Sequence, residues 1–208
     1  MKRRRLWAGL AGTLAVATGV TVWAIQPHPT PATESKSASE TLTKHHQVDV
    51  LMQTALLQQS EIHDSKGAAD TYGRLLKLDP DNKLAWYNLG VIAQQDGKLD
   101  DARTAYDKAL KIDPSFTSAL FNEAILLKSS DPDRAIGLLK KCIAADPKAG
   151  TAYLQLGQVL AEKDRADEAE KAFRRAVATD PSLHSQVPEP FRDSVTPSPT
   201  SSQAGSTR

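Results

Sequence analysis

Three side-chain amides, Asn88, Asn122 and Gln155, recur at intervals of 34 and 33 residues, each directly after a bulky apolar residue: Tyr87, Phe121 or Leu154. An amide offers donor and acceptor together, so it can pair with a peptide backbone whatever side chains that backbone carries. Such a set can do recognition rather than bond-making. Residues for bond-making are sparse. His28, His45, His46, His63 and His184 are scattered, and the adjacent His45 and His46 lack the i, i+4 spacing that sets two metal ligands on one helix face. Cys142 is the only cysteine, which excludes an internal disulfide framework or thiolate metal site. No P-loop, Rossmann glycine pattern, G-x-S-x-G or zincin motif occurs. The expectation is a chain with no catalytic residue, no metal and no cofactor.

The amides belong to a larger periodicity. "KLDP", "KIDP", "AADP" and "ATDP" end at Pro80, Pro114, Pro147 and Pro181, and three further columns keep the same register. These are Ala68, Ala102, Ala135 and Ala169; Tyr72, Tyr106, Leu139 and Phe173; and Leu75, Ala109, Cys142 and Ala176. A repeat of this length reads as a stack of supersecondary units. Within one unit, Trp86, Leu89, Gly90 and Ala93 run i, i+3, i+4, i+7 and share a helix face. Glycine in a helix interior costs about 1 kcal/mol relative to alanine, so Gly90 is expected to let the paired helix approach closely. Gly97 is expected to end the first helix as a left-handed cap, and Pro114 to stop the second. Cys142 falls in a small-residue column and reads as a buried, inert thiol.

These columns resemble the tetratricopeptide repeat family, a 34-residue helix–turn–helix with W-x2-L-G-x2-Y, A-x3-F and P signatures. The second unit matches best, through Trp86, Leu89, Gly90, Ala102, Tyr106, Ala109 and Pro114; the fourth offers Tyr153, Leu156, Gly157, Ala169, Phe173, Ala176 and Pro181. In the third, Glu123 stands where leucine is usual, and a residue is missing near "KSSDPD", so its turn is expected to be shorter. The first is degenerate, with Met52 and Leu56 for tryptophan and glycine, as suits an end unit. The resemblance implies an all-α fold, a right-handed superhelical array of about four units over 48–81, 82–115, 116–148 and 149–182. It also implies that a second stripe of each first helix lines a concave, peptide-holding groove. Here that stripe supplies Leu84, Tyr87, Asn88 and Val91; Phe121, Asn122 and Ile125; and Leu154, Gln155 and Gln158. The amides would form a ladder along a peptide and the apolar residues would form its pockets. An alternative stands beside this: the apolar residues pack between neighbouring first helices and the amides cap local carbonyls. The lysine- and arginine-rich clamp of repeats that hold terminal carboxylates is missing, since these slots carry Gln53, Leu57, Tyr87, Asn88, Ser118 and Asn122.

The N-terminus reads as an anchor. Lys2, Arg3, Arg4 and Arg5 precede "LWAGLAGTLAVATGVTVWAI", Leu6 to Ile25, an uncharged run with Trp7 and Trp23 near its ends. As a helix it would be roughly 30 Å long, the thickness of a bilayer core, and longer than the apolar core of a cleaved signal peptide. The basic cluster predicts a cytoplasmic N-terminus, with the repeats across the membrane, periplasmic or extracellular in a bacterium. Residues 26–47 read as a disordered stalk and residues 183–208 as a Pro/Ser/Thr-rich tail. After Pro181, either Val187 and Phe191 fold back over Phe173 and Val177, or that edge meets another protein. Net charge is +1, falling to −3 without the basic cluster, so no nucleic-acid footprint is present. The expected partners are a protein or peptide ligand and the lipid bilayer through residues 6–25, with a homo-oligomer as a further possibility. The function expected is a membrane-tethered scaffold or adaptor. The alternatives are a self-associating array, or an accessory subunit of an envelope, secretion or cytochrome-maturation complex.

Overall fold

A computed structural model describes residues 31–195, with side chains from Glu40 onward. The described elements are all helical: α1 (Pro31–Ser60), α2 (Ser65–Leu78), α3 (Lys83–Gln95), α4 (Leu99–Ile112), α5 (Thr117–Leu127), α6 (Pro132–Ala145), α7 (Gly150–Glu162) and α8 (Ala166–Thr179). A 3-10 turn (Pro181–Gln186) and a short α9 (Glu189–Val195) follow. The strongest packing pairs α3 with α4, α5 with α6 and α7 with α8, and each second helix then meets the first helix of the next hairpin. α3 also touches α5, so these two first helices lie side by side.

The Asp-Pro pairs end the second helices by a shared mechanism. Proline pushes the preceding residue out of the helical region, and Asp79, Asp113, Asp146 and Asp180 all sit near φ −130° to −140°, ψ 85° to 100°. Each donates its backbone N–H to a carbonyl of the last turn, that of Leu75, Ala109, Cys142 or Ala176. First helices end differently. Gly97 has φ +74°, with Lys98 N–H donating to the Ala93 carbonyl at 2.8 Å and Gly97 N–H to the Gln94 carbonyl at 3.1 Å, the paired bonds of a left-handed cap. His63 (φ +57°) and Asp164 (φ +58°) hold the corresponding bends without glycine.

The residue missing from the third hairpin comes out of its first helix rather than its turn. α5 has 11 residues where α3 and α7 have 13, and the bend over 128–131 is one residue longer than the bends over 96–98 and 163–165. Asp131 accepts from the Arg134 N–H at 3.1 Å and Pro132 opens α6, a start signal that fixes that end.

Gly90 and Gly157 are explained by rings. A Cβ at Gly90 would lie 2.5 Å from the Tyr106 ring, and one at Gly157 2.5 Å from the Phe173 ring. Both rings are fully buried. The glycines therefore seat an aromatic side chain on the helix backbone, where the sequence suggested only close approach of two backbones. Trp86 is half-buried and packs toward the first hairpin, its indole N–H donating to the Pro80 carbonyl at 2.8 Å and the Lys108 Nζ lying 3.9 Å above its ring.

One expectation about the flanks is corrected, and one alternative is decided. The stretch expected as a stalk is helical from Pro31, because no proline or glycine interrupts residues 32–66 and Pro31 suits a first helical position. The tail is folded as far as Val195: Leu183, Val187 and Val195 are buried and the Phe191 ring lies 5.2 Å from that of Phe173. The fold-back alternative is the one adopted. No described helix is long and apolar enough to cross a membrane. The apolar run 6–25, residues 26–30 and residues 196–208 lie outside the described residues.

Candidate functional site

The second stripe of α3, α5 and α7 is uncharged: Leu84, Tyr87, Asn88, Val91; Ser118, Phe121, Asn122, Ile125; Thr151, Leu154, Gln155, Gln158. Leu84 is 46% exposed, and Tyr87, Asn88, Val91, Phe121, Asn122, Ile125, Gln155 and Gln158 are partly exposed. Leu154 is 2% exposed. It packs into the core and cannot line a pocket, a correction to its expected role.

The three amides are in three different situations. Asn88 Nδ2 donates to the Leu84 carbonyl of its own helix at 2.9 Å, the local capping that the alternative reading described. Asn122 Nδ2 donates to the Tyr87 hydroxyl at 3.1 Å and so ties α5 to α3. Gln155 keeps a buried Oε1 with no partner. A buried acceptor without a donor costs about 1–3 kcal/mol. The spacing places them in one register, but only Asn122 reaches across to the preceding hairpin.

Tyr87 is the centre of an aromatic joint. Its ring stands edge-on to Phe116 at 5.3 Å and tilted against Tyr106 at 6.0 Å, geometries that favour ring quadrupoles. Burial pushes the Tyr106 hydroxyl up to about 12, and it donates to Gln94 Oε1 at 2.8 Å. Burial likewise pushes Tyr72 up to about 12. The Tyr87 ring therefore serves packing and the exposed stripe at once.

A second polar cluster lies between α4, α5 and α6. Glu123 is fully buried, and Arg134 bridges it to Asp107, the latter at 2.7 Å. Glu123 Oε2 has no hydrogen-bond partner. Burial, then the nearby Asp107 charge, raise the Glu123 carboxyl above its ordinary range, against the pull of Arg134. The sequence signalled this site only through a glutamate in a leucine column; nothing in the spacing named Arg134 or Asp107 as its partners. Cys142 is 2% exposed and burial raises its thiol, in keeping with an inert side chain. No group of three or more His, Cys, Asp or Glu able to hold a metal occurs among the described residues.

Comparison with known proteins decides the family. Tetratricopeptide repeat profiles match residues 59–115 and residues 126–187. The photosystem I assembly protein Ycf3 of Synechococcus sp. (strain CC9902) is 31% identical over 121 residues, covering 52% of this chain and 70% of that protein. The chain belongs to the tetratricopeptide repeat family. The repeats are also 32% identical over 111 residues to the protein O-mannosyl-transferase Tmtc3 of Drosophila melanogaster, covering 52% of this chain but only 12% of that protein. Among solved structures, MamA from Desulfovibrio magneticus RS-1 is similar at a TM-score of 0.63 and 18% identity, covering 72% of this chain and 89% of that one. That likeness shows the superhelical repeat fold. As a tetratricopeptide repeat array, the chain fits a protein-interaction scaffold or accessory role.

Proposed function

We propose that the array captures a peptide segment on the face shared by α3, α5 and α7, and that residues 6–25 tether it to a membrane, with the repeats on the side opposite Lys2. The observation that carries this reading is the absence of any lysine, arginine, aspartate, glutamate or histidine from the second stripe of these three helices, in a chain where charged residues make up 25%. A solvated face would carry lysine and glutamate. This stripe offers rings, branched apolar groups and amides, which suits a ligand with apolar anchors and a backbone to pair. Leu84, Tyr87, Val91, Phe121 and Ile125 are the anchoring surface; Asn88, Asn122, Gln155 and Gln158 are the amides. For Asn122, ligand binding exchanges the Tyr87 hydroxyl for a peptide carbonyl. No step of bond chemistry belongs to the array in this reading.

The test is capture from native membranes. Ile125→Arg places a cation in the uncharged stripe, while Lys140→Glu alters the opposite, exposed face. The expected result is loss of partner capture for Ile125→Arg, with an unchanged melting temperature, and no loss for Lys140→Glu. Equal capture by both variants contradicts the reading. Tethering is tested separately: deleting residues 6–25 should release the protein on alkaline extraction of the membrane, and thiol labelling beyond residue 47 should occur on the side opposite Lys2. A second reading is favoured by the name of Ycf3, an assembly protein: this array acts as an accessory subunit of a larger assembly, and capture would then return that assembly's subunits in fixed stoichiometry.

A further inference from the structure

α1 carries apolar side chains on the side turned away from its own hairpin. Val48 and Ala55 are buried and Leu51 and Met52 pack against the same core, whereas Leu42, Val50 and Leu57 are 75%, 46% and 52% exposed. At 3.6 residues per turn, Leu42, His46, Asp49, Val50, Gln53 and Leu57 form one stripe opposite that packed face.

The stripe is symmetric about the point between Asp49 and Val50. Leu42 and Leu57 are equidistant from it, as are His46 and Gln53. A two-fold contact requires each residue to meet what meets it in return, and two antiparallel helices centred on this point meet that condition. In that register Leu42 covers Leu57 of the second copy and the two Val50 side chains meet near the axis. A parallel register instead sets Asp49 against Asp49 and His46 against His46.

Charge favours the same partner. A cavity of about 640 Å³ opens beside the stripe, lined by His46, Val50, Leu51, Arg74, Lys77 and Leu78, with cations at its rim and no carboxylate. Arg74, Lys77 and the exposed Asp49 make no ion pair among the described residues. The antiparallel register carries Asp49 of the second copy opposite Val50, to the mouth of that cavity. We propose that two copies of this chain pair antiparallel through the Leu42–Val50–Leu57 stripe of α1, each placing Asp49 against the basic cavity of the other. Val50, Gln53 and Leu57 hold in the first hairpin the positions equivalent to the capture stripe, so the pairing takes the first-hairpin end of that row and uses no residue of α3, α5 or α7.

Cysteine cross-linking of the full chain in detergent tests it, since buried Cys142 gives little background. V50C is expected to form a disulfide-linked dimer on mild oxidation. L42C or L57C alone is expected to form none, because the two copies of each position would stand about 22 Å apart along the helices, far beyond the reach of about 7 Å between α-carbons that a disulfide allows. The double variant L42C/L57C is expected to cross-link. Asp49→Lys, with folding checked by circular dichroism, is expected to shift the dimer to monomer in light scattering. Absence of a V50C dimer at every concentration tested overturns the proposal, and so does efficient cross-linking of L42C alone.

Discussion

The ring of Tyr106 lies against the α-carbon of Gly90, so close that a methyl group there would stand 2.5 Å from a ring carbon. Phe173 repeats the relation on Gly157 two hairpins later. The unit thus uses a ring on one helix and a gap on its partner, and helical propensity is given up to keep that fit. Gly90→Ala gains about 1 kcal/mol of helix propensity but forces a buried ring to move, and overpacking a core typically costs 1–3 kcal/mol. The expected net loss is up to about 2 kcal/mol in urea unfolding. Gly137→Ala is the control: its Cβ meets nothing within 4 Å, and a gain of roughly 0.5–1 kcal/mol is expected.

Glu123 makes stability depend on pH in a defined direction. Its folded-state pKa is raised above the ordinary value of 4.5. Its contribution is therefore fully present below that ordinary value and is lost as pH rises through the higher folded value. Unfolding free energies measured as pH rises from 4.5 should show this loss, and Glu123→Gln should flatten it. An unchanged slope in the variant would contradict the burial argument.

Removing the cation from the same cluster should be worse than removing the acid. Arg134→Ala leaves Glu123 buried beside Asp107 with no hydrogen-bonded counter-charge, Arg103 being the cation that remains nearby. Breaking a buried pair costs 3–5 kcal/mol, and because Arg134 is about one-third exposed a loss of about 2–3 kcal/mol is expected. Glu123→Leu restores the apolar residue usual in this column and leaves Arg134 paired with Asp107, so it should be neutral or stabilising.

Much of this was legible because repetition supplies its own control. Four Asp-Pro stops, a column of four alanines and Gly97 give the hairpins and their ends. The sequence does not say where a missing residue is absorbed: Asp131 and Pro132 fix the start of α6, so α5 shortens. Pro/Ser/Thr-rich composition suggested a stalk over 26–47, yet nothing from residue 32 to residue 47 breaks a helix. Within the candidate site, spacing places Asn88, Asn122 and Gln155 in one register. It cannot show that Asn88 bonds its own helix while Asn122 reaches Tyr87, because χ rotamers and neighbouring hydroxyls decide that. Leu154 is buried by contacts that its register does not encode.

The left-handed bends differ in cost. Asp164 holds φ +58° with a side chain, where Gly97 holds +74° without one. Left-handed backbone costs an L-residue roughly 1–2 kcal/mol, less for aspartate. Asp164→Gly should therefore stabilise by about 0.5 kcal/mol, read as a higher urea midpoint with unchanged slope.

The C-terminal cover is testable by truncation. Phe191 packs on Phe173 but is only partly buried, so Phe191→Ala should cost about 2 kcal/mol, below the 3–5 typical of fully buried phenylalanine. Truncation after Ser182 should expose the Phe173 and Val177 edge and produce concentration-dependent association in light scattering. A truncated chain that stays as stable and no more associated than the full chain would show that the cover does not seal that edge.

The most direct test of the central claim is site-specific photo-cross-linking in the native membrane. A photoreactive side chain at position 121 faces the uncharged stripe, and one at position 140 faces outward on α6. The account predicts a discrete cross-linked partner from position 121 and none from position 140. Adducts of equal yield and identity from both positions, or none from position 121 in a correctly folded protein, would contradict it.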